Sequence, residues 1–72
     1  MGSKYPVLRP AEVIAALAKL GFAFKSQRGS HAKYVCENKI VIIPMHDTLA
    51  KGTLKSILEQ AGIDLDAFLK LL

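Results

Sequence analysis

Apolar and polar residues alternate along this chain in two rhythms, and the changes of rhythm mark its elements. Val13, Ile14, Leu17 and Leu20 recur at helical spacing, with alanines between them, which predicts a helix over about 10–20. Pro10 suits its first position and Glu12 its first turn, and Gly21 followed by Phe22 suits a left-handed C-terminal cap. The rhythm then shortens. Residues 22–27 read as a strand with Phe22, Phe24 and Ser26 on one face, Arg28-Gly29-Ser30 as a turn, and 31–36 and 40–45 as two further strands. The polar residues Glu37-Asn38-Lys39 join the last two as a hairpin, and Pro44, which cannot donate to a ladder, marks the end of the third strand. Helical spacing returns with Leu54, Ile57, Leu58 and Ala61, a helix expected to open at Gly52-Thr53 with Thr53 as its cap and to close at Gly62. Asp64 is then expected to cap a short final helix with Leu65, Phe68, Leu69 and Leu72 facing inward.

That order, α-β-β-β-α with a short C-terminal helix, predicts an α+β fold. Its simplest packing is a three-stranded antiparallel sheet with both main helices on one face, which is the outline of a double-stranded RNA-binding domain. The 72 residues are expected to form a single domain, with residues 1–8 loosely ordered. The length excludes a dinucleotide-binding sheet or a barrel enzyme, and one cysteine cannot form an internal disulfide. The longest apolar run, Ile40 to Met45, is too short to span a bilayer, and residues 1–6 contain no apolar run of signal-peptide type. A cytoplasmic location is the expectation.

Charge adds a direction. The formal net charge is +4. Residues 1–36 hold six basic side chains against Glu12 alone, whereas residues 37–72 hold four basic and five acidic ones. The unopposed stretch is Lys25, Arg28 and Lys33, and it encloses Gly29, Ser30 and His31. On charge alone this is a solvated loop or a phosphate-contacting turn, in which glycine admits close approach and Ser, Lys and Arg supply donors.

Gly29-Ser30-His31 opens the second strand, Pro44-Met45-His46 ends the third, and Lys51-Gly52-Thr53-Leu54-Lys55-Ser56-Ile57-Leu58 followed by Gln60-Ala61-Gly62-Ile63 forms the second helix. Each motif alone says little. Their order and spacing, after a helix ending in Leu20-Gly21-Phe22, resemble the HicA family of toxins from bacterial and archaeal toxin-antitoxin pairs, over about residues 10–70. The resemblance implies a small mRNA interferase of the fold just described, which cleaves RNA, arrests translation and is covered by a HicB antitoxin. It also implies that His31, which follows Gly-Ser, is the catalytic histidine.

The chemistry fits that implication. RNA carries its own nucleophile, the 2′-hydroxyl, so cleavage needs a proton acceptor, a proton donor and positive charge near the phosphorane. Histidine serves near neutral pH, because its reference pKa is about 6.5, and Lys and Arg stabilise developing phosphate charge. Two histidines and no carboxylate cluster at ligand spacing predict neither a metal site nor a cofactor. Lys25, Arg28, Gly29, Ser30, Lys33 and Lys51 are the candidate RNA contacts, and His46 is a candidate second catalytic residue. If Asn38-Lys39 is a two-residue turn, then Glu37 pairs with Ile40 and His31 lies opposite His46, with Cβ atoms about 5 Å apart. Val35, Ile40 and Ile42 then lie on the sheet face away from the helices. An antitoxin, a second copy of the chain or the C-terminal segment could cover them. A non-catalytic RNA-binding module and a protein-interaction domain are the alternative readings.

Overall fold

The computed structural model of the chain describes residues 4–72. The elements follow as α1 (Pro10–Ala18), β1 (Ala23–Arg28), β2 (His31–Cys36), β3 (Lys39–Pro44), α2 (Lys51–Ala61) and α3 (Leu65–Leu69). The strands form one antiparallel sheet in the order β1-β2-β3. Val13 and Leu17 of α1, Val41 and Ile43 of β3, and Leu54, Ile57 and Leu58 of α2 meet in a single core, closed from the end by the fully buried Phe68 of α3. Both main helices therefore lie on one sheet face, as the alternation predicts. Ala32 and the pairs around it explain which face: Ala32↔Ile43 and Tyr34↔Val41 point to the helices, and Ala32, Ile43 and Val41 are fully buried.

The helix ends show which local signals decide structure. Glu12 reaches back so that its Oε1 accepts from the Arg9 N–H at 2.9 Å, which ties the start of α1. Gly62 closes α2 at φ +74, and Asp64 Oδ1 accepts from the Ala67 N–H at 2.8 Å as the N-cap of α3. Two expectations give way. Thr53 does not cap α2; the helix starts earlier, at Lys51, with Ala50 in the cap position and no side-chain capping bond. Leu72 does not face inward but is 53% exposed, because the chain turns after α3 and Leu71 packs instead, its carbonyl accepting from Lys19 Nζ at 2.6 Å.

Of the stretch 1–8, residues 1–3 lie outside the described residues. Leu8 is buried, and its carbonyl accepts from the Leu49 N–H at 2.8 Å in an isolated antiparallel bridge. That bridge ties the chain ahead of α1 to the loop ahead of α2.

Candidate functional site

Two hairpins position the site. Each has a two-residue turn whose first residue carries a positive φ: Gly29 at +58 before Ser30, and Glu37 at +56 before Asn38. The first turn matches the expected chemistry, because glycine takes that conformation without steric cost. No atom lies within 4 Å of the place a Cβ would occupy on Gly29, so this backbone is open to an approaching group. Gln27 Nε2 donates to the Gly29 carbonyl at 3.0 Å and braces the turn.

The second turn corrects the expected register. Glu37 and Asn38, not Asn38 and Lys39, form the turn, and Cys36 pairs with Lys39. The residue opposite His31 is consequently Pro44, and His46 lies beyond the ladder. The proposed histidine pair does not form across the strands. The faces survive the correction, because a change of two residues in the partner preserves side-chain parity. His31, Lys33 and Val35 lie on the open face with Ile40, Ile42 and Pro44.

A bulge in β1 completes the cluster. Phe24 pairs with Tyr34, whereas Ser26 pairs with Lys33, so Lys25 is the extra residue between them. Phe24 stays on the helix face, meeting the Tyr34 ring edge-on at 5.6 Å. Beyond the bulge the parity of the strand inverts. Ser26, expected on the face of Phe22 and Phe24, turns to the open face, and Arg28 comes directly opposite His31. Ser26, Arg28, His31, Lys33 and Ile42 then line one surface depression of about 290 Å³. Register partners on one face hold their Cβ atoms about 5 Å apart, so the Arg28 guanidinium and the His31 ring can reach one bound group. His31, Arg28 and Ser26 are exposed, Lys33 and Ile42 half-buried. The Ile42 backbone is fixed from the other side, its N–H donating to Gln60 Oε1 of α2 at 2.8 Å, while Gln60 Nε2 donates to Ser56 Oγ.

The structure thus brings together His31, Arg28 and Lys33, with Gly29 and Ser30 in the adjoining turn. Lys25 sits exposed at the bulge. Lys51 does not line the depression; its Nζ stands 5.9 Å from the centre of the Tyr5 ring, at the start of α2. His46 enters the wall of a different and larger cavity, about 510 Å³, with Arg9, Met45 and Asp47. Sequence reasoning missed Ser26 and Ile42 as lining residues and Arg9 altogether. Of these only Ile42 carried a signal, as an apolar residue on the open face. Among the described residues, no three His, Cys, Asp or Glu side chains gather as a metal site would require, and no helix is long and apolar enough to cross a membrane.

Val35, Ile40 and Ile42 leave the open face partly apolar, with Ile40 53% exposed. The C-terminal segment does not cover it, since Leu71 is held against Lys19 of the α1 end.

A family model described as the HicA toxin of bacterial toxin-antitoxin matches residues 10–63 of the chain, from the start of α1 to just past α2. Every residue of the depression falls within that span. No curated protein matches the chain.

Proposed function

The chain belongs to the HicA toxin family and is the toxin of a toxin-antitoxin system; from that premise we propose that it is a metal-independent endoribonuclease that cleaves mRNA, with His31 as its proton-transfer residue. The observation that carries the reading is the grouping of Arg28 and Lys33 with His31 on one exposed sheet face. A phosphodiester seated there meets two fixed positive charges beside a histidine. In this reading His31 either accepts the 2′-hydroxyl proton or donates to the departing 5′-oxygen. The 2′-oxygen attacks phosphorus, the P–O5′ bond breaks, and the products carry a 2′,3′-cyclic phosphate and a 5′-hydroxyl. Arg28 and Lys33 stabilise the charge that gathers on the non-bridging oxygens. The site needs no large cavity because the substrate brings the nucleophile, which accords with a depression of about 290 Å³. Gly29 and Ser30 offer backbone and hydroxyl donors to the adjacent phosphate. A HicB-type antitoxin neutralises the protein by covering this face, where Ile40 and Ile42 supply the apolar part of the contact.

The test is incubation of the purified protein with mRNA in EDTA, beside His31→Ala. Cleavage by the wild type and its loss in the variant are expected. RNA left intact by the wild type would remove the enzyme reading and leave an RNA-binding module. Cleavage at wild-type rate by His31→Ala would remove the assignment of the histidine.

A further inference from the structure

A second cavity lies apart from the depression that holds His31. It lies between the start of α1 and the loop after β3, walled by Arg9, Pro10, Met45, His46 and Asp47 among others. Its position relative to the depression follows from the ladder. Pro44 is the partner of His31, and the Met45 N–H donates to the Ser30 carbonyl at 2.6 Å, which extends the pairing by one step. Met45, in the wall of the cavity, therefore sits just past the end of β3 and beside Ser30 of the turn that precedes His31. The Met45–Ser30 hydrogen bond joins the cavity wall to the turn that opens on His31, which places the cavity within reach of a neighbouring nucleotide of an extended single strand.

The chemistry of the wall suits a nucleotide. Arg9 is exposed and permanently charged, and its side chain makes no capping bond to α1. Glu12 already accepts from the Arg9 N–H, so the anion affinity assigned to Arg9 rests on its guanidinium. Met45 is 37% exposed beside Pro10 and offers a polarisable apolar surface to a base. Asp47 would repel a second phosphate but can accept from an exocyclic amino group. We infer that this cavity is a flanking-nucleotide subsite, in which Arg9 holds a phosphate next to the cleaved bond, Met45 and Pro10 face the base, and Asp47 selects bases that carry an amino group. The inference rests on the proposal that single-stranded RNA occupies the His31 depression.

The test measures binding of 2′-fluoro RNA, which lacks the nucleophile, by fluorescence anisotropy over a salt series. A dinucleotide, which has a single phosphodiester, and a hexamer are compared with wild type, Arg9→Gln and Arg9→Lys, with mRNA cleavage by the wild type run in parallel. The expected result is tighter hexamer binding by the wild type. Arg9→Gln should weaken the hexamer about fivefold or more, leave the dinucleotide unchanged, and reduce the slope of log K against log salt for the hexamer by about 0.7, the loss of one single-strand phosphate contact. Arg9→Lys should keep that slope. Equal weakening of dinucleotide and hexamer by Arg9→Gln, or no weakening of either, would overturn the subsite while leaving the cleavage reading intact if wild type still cuts mRNA. A wild type that binds neither oligomer and cuts no RNA would overturn both.

Discussion

Glu37 is the one residue other than glycine with a positive φ among the described residues, and it sets the register that puts Pro44 rather than His46 opposite His31. An L-residue held in that region costs roughly 1–2 kcal/mol. Glycine removes the clash but adds freedom to the unfolded chain, which takes back roughly 0.5–1 kcal/mol. Glu37→Gly should therefore stabilise the fold by about 0.5–1 kcal/mol. For a domain of this size, 1 kcal/mol moves Tm by roughly 4–8 °C, so the expected rise is about 2–8 °C. Thermal melts followed by far-UV circular dichroism measure it. Glu37→Ala is the control, since it removes the same charge but keeps a Cβ, and it should give no such rise. The turn lies at the opposite end of the hairpin from His31, so RNA cleavage should not change. Equal Tm shifts for the Gly and Ala variants, or a fall with Gly, would refute the account of the turn.

Other outcomes follow from the same geometry. Arg28→Gln, exposed and across from His31, should lower the cleavage rate on the order of tenfold with the melting curve unmoved, because lost charge stabilisation acts on the transition state and not on packing; a parallel loss of Tm would contradict it. Deleting Lys25 removes the extra residue while leaving Phe24↔Tyr34 and Ser26↔Lys33 in one regular ladder, so the deletion variant should fold and retain cleavage, as circular dichroism and an RNA assay will show. Phe68→Ala empties a fully buried site and should cost about 3–5 kcal/mol. Against a total of roughly 4–11 kcal/mol for a chain of this length, urea denaturation should find about half of the stability lost.

The faces of β2 and β3 were legible in the sequence and their register was not, for one physical reason. Side chains repeat every two residues along a strand, so Ala32, Tyr34, Val41 and Ile43 face the core whether His31 is opposite Pro44 or His46. Only the turn decides between those pairings. A turn at Asn38-Lys39 lies one residue too far along the chain, and Glu37 takes the strained position. The bulge was hidden for a related reason. Every residue of β1 is exposed, so Lys25, Ser26, Gln27 and Arg28 carry no apolar alternation that would betray an inverted face. Gly62 and Asp64 could be read because their capping chemistry is local. Leu8 and Leu49 could not, because they are buried by a bridge between two irregular segments with no period of their own. The candidate site shows the same division. Gly29, Ser30, His31 and Lys33 are contiguous or nearly so and were legible, whereas Ser26 and the approach of Arg28 depend on the bulge, and Arg9 on tertiary packing.

In the proposed mechanism His31 moves a proton in cleavage by the RNA's own 2′-hydroxyl. Single-turnover cleavage of a single-stranded RNA in EDTA, with product ends identified by mass spectrometry, tests it most directly. The wild type is expected to leave 2′,3′-cyclic phosphate ends, and His31→Ala to cut at a rate about 100-fold or more lower. Products ending in a 3′-hydroxyl, or a His31→Ala rate equal to wild type, would contradict it.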